Sequence, residues 1–298
     1  MTAQIITGEP PLRPSSPCAP VPHPAPVAAV APVPEQPRPV RTLVTLGDST
    51  CVGLGDPVPG GGWRGFPVLL RDALGAGELV NPSFTGARMA DVRARQLPAA
   101  LEARPDVAVM FVGMNDTLRS DFDPEVVQAH SAAVVADLRA AGAHVLLARY
   151  HDHTRVFHLP APLRRALRRR IIALNTATDA VAAQDPAGIG VLDLDLLPGG
   201  YERDAWAVDR LHPSELGHRM LASALTDLLT TAGFAVPHPV SLECAGGRRV
   251  TAAHRVAWLL VKGVPWLVRR SRDFGPVIVQ SLMNEMVRRP VVAGWQRD

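Results

Sequence analysis

The sequence predicts an α/β fold, a three-layer sandwich in which helices cover both faces of a five-stranded parallel sheet. Two observations support this prediction. Segments of strand length alternate with segments of helical spacing five times along the chain. One of these strands, residues 107–112, is apolar at every position, as a strand covered on both faces should be. Because connections between parallel strands are right-handed, this alternation produces a doubly wound sheet.

In the first half of the chain, glycines and changes in hydrophobic spacing bound the elements. The first strand covers residues 41–47 and ends in a Gly-Asp pair, which is typical of a strand boundary. A glycine-rich loop precedes a helix from 63 to 74, which Gly75 ends. The elements that follow are a short strand at 78–84, a helix at 90–103 and the strand at 107–112.

The second half continues the same alternation. Its predicted elements are a helix at 124–141, a strand at 144–149, a helix at 163–183, a strand at 189–194 and a helix from 213 to about 231. Pro124 and Pro213 are placed at the starts of two of these helices, because proline is tolerated in a first turn. Gly142 marks the end of the first of the three helices.

Composition limits the possible classes of protein. With 298 residues, of which 47% are hydrophobic and 20% charged, the chain can bury a large core, which excludes disorder throughout. A formal net charge of +3 is too small to indicate a nucleic-acid partner. Cys18, Cys51 and Cys244 form no CxxC pair, so we expect neither a disulfide framework nor a zinc site. Without a secretory signal at the N-terminus, the expected location is cytoplasmic.

Five residues with complementary chemistry follow the predicted strands. Ser49 follows the first strand, Gly86 the second and Asn115 the third, while Asp209 and His212 precede the last helix. The carboxyl ends of parallel strands meet at one edge, where ligands bind, so we expect these residues to converge. His212 could then accept the proton of Ser49, and Asp209 could orient the imidazole. The N–H groups of residues 49 and 86 and the Asn115 amide could stabilise an oxyanion.

Four blocks of the sequence occur in the order found in the SGNH hydrolases, also called the GDSL lipase/esterase family: GDS, the glycine after the second strand, GxND and DxxH. The chain resembles this family over about residues 40–232. The resemblance implies a flavodoxin-like sheet and a bacterial serine esterase. It implies that Ser49 is the nucleophile and first oxyanion donor, Gly86 and Asn115 the other donors, His212 the base and Asp209 its partner. It implies a small-molecule acyl ester as substrate, with no cofactor and no metal. Residue 50 is threonine where the family name has leucine.

Three functions remain open at this point. The first is hydrolysis of a carboxylic ester, in which water attacks the acyl-enzyme. The second uses the same residues as an acyltransferase or thioesterase on a carrier-bound or coenzyme-A-bound acyl group. The third is a non-catalytic binding module, because a fold alone does not establish activity. The sequence does not separate the first two, since pocket shape and water exclusion select the acceptor.

Three weaker signals have a structural and a functional interpretation each. His151 and His153, with His158 nearby, could hold a metal, but a polar loop lining the substrate pocket is favoured. Cys51 could be a second nucleophile, but a buried thiol is favoured. The run from Arg164 to Arg170 could bind an acidic partner, but a solvated helix face is favoured.

The expected organisation has three parts. Residues 1–39 contain twelve prolines and form a disordered leader. Residues 40–232 form the catalytic domain. Residues 233–298 form a helical appendage that packs on this domain or on a partner subunit. Within it, tryptophans flanked by arginines at 250–272 could contact a membrane surface, but packing is favoured. The sequence does not indicate an oligomeric state.

Overall fold

The structure is a computed structural model that describes residues 36–156, 160–245 and residue 283. Within these residues one all-parallel sheet has the strand order β2-β1-β3-β4-β5, which is the flavodoxin-like order. The strands are β1 (Thr42–Gly47), β2 (Glu78–Val80), β3 (Val107–Phe111), β4 (His144–Arg149) and β5 (Ile189–Asp193). This confirms the predicted fold class.

Helices form the outer two layers. They are α1 (Ser49–Val52), α2 (Gly65–Leu74), α3 (Met89–Asp91), α4 (Leu97–Glu102), α5 (Met114–Thr117), α6 (Pro124–Ala140), α7 (Ala161–Ala182) and α8 (Glu215–Thr231). Helix α2 packs against α8, while α6 packs against α4 and α7. The two groups of helices therefore cover opposite faces of the sheet, so that every residue of β3 is buried.

The carboxyl end of β1 is fixed by close contacts with its neighbours. At Gly47 the backbone has φ +149, and a Cβ would lie 2.0 Å from the Phe111 carbonyl oxygen, so only glycine fits. The buried amide of Gln96 bonds both the N–H (2.8 Å) and the carbonyl (2.9 Å) of Gly47. Gln96 ends a π-helical turn, Val92–Gln96, between α3 and α4. These contacts set the position from which the next residues, including Ser49, emerge.

Predicted and observed element boundaries differ at several places, and three of the differences have a physical explanation in the structure. The second strand stops at Val80 rather than 84, because Pro82 follows and the Asn81 side chain donates to the Cys51 carbonyl instead. The helix predicted at 90–103 is divided by the π-helical turn. The last helix begins at Glu215 and not at Pro213, since the Ser214 side chain caps it by accepting from the Gly217 N–H.

Two parts of the predicted C-terminal appendage are described: residue 283, and residues 233–245, which run over the domain without forming a helix. Phe234 is buried and its ring lies 5.5 Å from that of His144. Arg38, ahead of the sheet, forms a parallel bridge with Phe234. Most of the predicted leader 1–39 and the whole of segment 250–272 lie outside the described residues. Among the helices that the structure describes, none is long and apolar enough to cross a membrane.

Candidate active site

Ser49 is the first residue of the short helix α1, directly after β1. Asp48 caps this helix, because its carboxylate accepts the Thr50 N–H at 3.0 Å. The helix ends after one turn at Gly53, whose left-handed conformation caps its C-terminus. Ser49 is 8% exposed, so its hydroxyl lies in a largely buried setting at the sheet edge.

Asp209 and His212 belong to one turn ahead of α8, and they form a continuous hydrogen-bonded line with Ser49. His212 Nε2 lies 2.8 Å from Ser49 Oγ, and His212 Nδ1 lies 2.6 Å from Asp209 Oδ2. The other carboxylate oxygen, Oδ1, accepts the N–H groups of Leu211 (2.9 Å) and His212 (3.0 Å). Burial alone would raise the pKa of Asp209, but these hydrogen bonds outweigh it and lower the pKa, so the carboxyl group is ionised.

Two residues beside the cavity, Ser49 and Gly86, have backbone N–H groups without an acceptor among the described residues. Gly86 has φ +83, a conformation in which a side chain would be strained although nothing lies within 4 Å of a Cβ placed there. Among the residues that the structure describes, no atom accepts a hydrogen bond from the N–H of Gly86 or of Ser49. Both residues line the same cavity. Two donors are therefore available to a negatively charged oxygen.

Asn115 also lines the cavity, but its amide is already engaged. Its Nδ2 donates to Asp48 Oδ2 at 3.0 Å and to the Ala87 carbonyl at 3.2 Å. Asp48 is buried, and burial raises its pKa to about 6. The role of Asp48 in holding Asn115 was not predicted from the sequence, where its only sign is its place beside Ser49. As a third oxyanion donor, Asn115 must therefore give up one of these acceptors.

A second carboxylate connects the segment after Gly86 with helix α5, which carries Asn115. Asp116 is buried, accepts the Met89 N–H at 3.1 Å and pairs with Arg88 at 3.3 Å. Burial raises the pKa of Asp116. Arg88 also pairs with Asp121 at 3.0 Å. Sequence reasoning missed this contact, which ties the two segments together.

A cavity of about 160 Å³ opens beside Ser49 and His212. Most of its wall is apolar, with Phe111, Met114, Leu118, Tyr150, Leu194, Leu197, Trp206, Leu211, Pro213, Met220 and Leu221 among the lining residues. The strand ends, the loop at 194–206 and the first turns of α8 all contribute to it. An apolar cavity beside a nucleophile suits the hydrocarbon part of a substrate.

His151 and His153 lie in the wall of this cavity, as favoured from the sequence. The two rings share a hydrogen bond, with His151 Nε2 and His153 Nδ1 2.8 Å apart. Burial lowers the pKa of His151 to about 4 and that of His153 well below its ordinary value, so both are neutral at pH 7. No group of three or more potential metal ligands occurs among the described residues, and His158 lies outside them.

The two other weak signals have structural explanations. Cys51 is fully buried and its thiol donates to the Leu46 carbonyl at 3.3 Å, while burial raises its pKa. It is therefore a poor nucleophile, as favoured from the sequence. Within the arginine run, Arg170 is half-buried and donates to the carbonyl groups of Thr117 and Arg119. One member of the run thus fixes the loop after α5 rather than facing solvent.

Comparison with known proteins gives a consistent result. The sequence profile described as the GDSL-like Lipase/Acylhydrolase family matches residues 45–220, which include all five predicted site residues. A crystal structure of TesA is 28% identical, with 64% of this chain and 99% of that chain covered and a TM-score of 0.51. No curated protein matches the chain.

Two further solved structures share the fold at lower identity. A putative lipolytic protein of the G-D-S-L family from Desulfitobacterium hafniense DCB-2 is 20% identical, with 63% of this chain and 98% of that chain covered and a TM-score of 0.51. LAE5, an alpha/beta hydrolase enzyme from the metagenome of Lake Arreo, Spain, is 23% identical, with 65% and 97% covered and a TM-score of 0.52.

Proposed function

Because this chain belongs to the GDSL-like lipase/acylhydrolase family and is a carboxylic ester hydrolase, we propose that it cleaves its substrate through an acyl-enzyme on Ser49. One observation carries the proposal: Ser49 Oγ, both ring nitrogens of His212 and Asp209 form an unbroken line of hydrogen bonds of 2.8 and 2.6 Å. A serine hydroxyl is a weak nucleophile until a base accepts its proton, and this line supplies the base together with the group that orients it.

In the first half-reaction Ser49 Oγ attacks the ester carbonyl and its proton passes to His212 Nε2. The ionised carboxylate of Asp209 stabilises the imidazolium that forms. When the tetrahedral intermediate collapses, the bond to the alcohol oxygen breaks and the alcohol leaves with the proton from His212. The acyl group remains as an ester on Ser49.

The oxyanion of the tetrahedral intermediate is stabilised by the N–H groups of Ser49 and Gly86, which have no acceptor among the described residues and so lose no hydrogen bond. Asn115 is the third donor. To reach the oxyanion, its amide gives up the hydrogen bond to the Ala87 carbonyl, the longer of its two at 3.2 Å, and donates to the substrate oxygen instead. The contact with Asp48 at 3.0 Å keeps the amide at the sheet edge during this exchange.

In the second half-reaction His212, neutral again, accepts a proton from a water molecule that attacks the acyl-enzyme. The carboxylic acid leaves, the proton returns to Ser49 Oγ, and the starting state is restored. If another alcohol or a thiol replaces water, the same residues perform acyl transfer instead. The choice of acceptor therefore belongs to the second half-reaction alone.

Rapid mixing with a nitrophenyl ester tests the proposal. We expect a burst of about one nitrophenolate per protein molecule, absent in Ser49→Ala and much slower in His212→Ala, because only an acylated serine releases the first product ahead of turnover. Turnover that Ser49→Ala retains contradicts the mechanism. Analysis of the acyl products formed in water with added methanol or a thiol separates hydrolysis from acyl transfer. A protein that binds the ester without cleaving it is a binding module.

A further inference from the structure

The cavity beside Ser49 has a size that limits what can enter it. Its volume is about 160 Å³ and its wall is mostly apolar. An apolar protein cavity of about 150 Å³ holds a molecule the size of benzene, which has six carbon atoms. A hydrocarbon group of about that size fills the pocket, and a longer chain has to leave part of its length outside.

Trp206 forms part of the wall and is held from several sides. Its Nε1 donates to the Gly200 carbonyl at 3.0 Å, and its backbone bridges to Pro213. Its ring centre lies 5.0 Å from that of His151 and 5.0 Å from that of His153. Because these partners belong to two different connections, β4–α7 and β5–α8, the indole ring is fixed by packing before any substrate arrives.

The histidine pair completes this side of the pocket. A 2.8 Å hydrogen bond joins the two rings, and the ring of Tyr201 is nearly perpendicular to that of His151, with 5.5 Å between the ring centres. Tyr201 in turn accepts the Asp152 N–H at 3.0 Å and contacts the Arg155 guanidinium. The wall is therefore preformed, and it does not retract without breaking several contacts at once.

The chemistry of a serine esterase indicates which half of the substrate enters. The alcohol leaves after the first step, whereas the acyl group stays on Ser49 until water has attacked. A hydrocarbon group packed against the fixed apolar wall beside Ser49 gains most if it stays through both half-reactions, which suits the acyl part. The open side of the site then serves the alcohol and the water.

We propose, on the basis of the function proposed above, that the cavity beside Ser49 is the acyl pocket and that Trp206 is a specificity-determining residue, which limits the buried part of the acyl group to about six carbon atoms beyond the carbonyl. The substrates are then esters of short or compact acids, including those with a single ring. Long-chain fatty acyl groups are poor substrates because their outer carbons stay in water.

A series of nitrophenyl esters with acyl chains from acetyl to hexadecanoyl tests this inference. For the unmodified protein kcat/KM rises about fourfold with each methylene that enters the pocket, because each contributes one increment of apolar burial, and it stops rising at about six carbons. In Trp206→Ala the optimum moves to longer chains, and the ratio of kcat/KM for dodecanoyl over hexanoyl esters rises at least tenfold. A ratio cancels any disturbance of the triad, which lowers both rates alike.

Two further variants complete the design. Met220→Ala enlarges the same cavity from α8 and shifts the ratio in the same direction, so the test stands even where Trp206→Ala fails to fold. Trp63→Ala is the matched control, because Trp63 is 45% exposed and does not line the cavity, and it leaves the ratio unchanged.

An optimum at dodecanoyl or longer in the unmodified protein overturns the inference, as does an unchanged ratio in both enlarged variants. If kcat/KM depends on the size of the alcohol and not on that of the acyl group, the cavity holds the leaving group, and the inference is also overturned. Labelling of Ser49 by a fluorophosphonate is measured in parallel. Normal labelling with no chain-length optimum refutes the acyl pocket alone, whereas no labelling and no turnover refute the proposed function itself.

Discussion

Replacing Asp209 by asparagine reverses the direction of the hydrogen bond on which the proposed mechanism depends. In Asp209 the oxygen Oδ1 accepts two backbone N–H groups, from Leu211 at 2.9 Å and His212 at 3.0 Å, while Oδ2 faces His212 Nδ1 at 2.6 Å. An asparagine keeps its oxygen on the two backbone donors, so its NH₂ group faces Nδ1. His212 then carries its proton on Nε2 and donates to Ser49 Oγ instead of accepting from it.

The expected loss in kcat for Asp209→Asn is about 10⁴-fold, or about 5 kcal/mol, as for the same tautomer exchange in other Ser-His-Asp triads. The temperature of unfolding changes little, because both backbone hydrogen bonds remain. Steady-state turnover of a nitrophenyl ester measures the first quantity and scanning calorimetry the second. Asp72→Asn, at a carboxylate that is 59% exposed, is the matched control and retains full activity. A tenfold loss or less in Asp209→Asn refutes the reasoning.

Three other changes have defined outcomes. Asn115→Ala lowers kcat about 10²- to 10³-fold, because one oxyanion donor is lost, and steady-state kinetics measure it. Gly86→Ala lowers kcat and the free energy of unfolding, the latter by about 1–2 kcal/mol, because alanine is strained at φ +83. The buried ring of His218 accepts the Phe66 N–H at 3.2 Å and contacts the Leu54 carbonyl at 3.0 Å, which only the neutral form satisfies. Burial lowers its pKa to about 4, so it contributes stability that is lost as the pH falls from 6.5 to 4, up to about 3 kcal/mol.

Each of these has a result that would contradict it. Unchanged turnover in Asn115→Ala removes that residue from the oxyanion hole. Gly86→Ala with normal stability shows that the positive φ is not required. For His218, urea unfolding is measured between pH 7 and pH 4, with His218→Gln as the comparison. If the variant shows the same loss of stability over that range, the proton taken up by the unfolded chain belongs to other groups.

The core of the fold could be predicted because its physical causes are local. Strand β3 is apolar at every position since both of its faces are covered, and that pattern is visible without any tertiary information. Two of the errors at element boundaries arise from a contact between distant residues and from a competing helix cap. Strand β2 ends before Asn81, whose side chain donates to the Cys51 carbonyl. Helix α8 begins after Ser214 and not at Pro213, because the Ser214 hydroxyl caps the helix.

The site could be predicted only in part, for a related reason. The order of the strands brings Ser49 and His212 to the same edge, and the structure places them in hydrogen-bonding distance. The contact of Asp48 with Asn115 joins the start of α1 to α5, and no spacing along the chain indicates it. The position of Trp206 against the histidine pair likewise depends on how the β4–α7 and β5–α8 connections pack against each other. Loop conformation, rather than residue type, was the missing information.

The intact mass of the protein after reaction with a fluorophosphonate tests the central claim most directly. The reagent bonds covalently to a serine only where a base and an oxyanion hole activate it. We predict a single adduct in the unmodified protein, no adduct in Ser49→Ala, and slow labelling in His212→Ala. A stable adduct in the Ser49→Ala protein would contradict the assignment of Ser49 as the nucleophile.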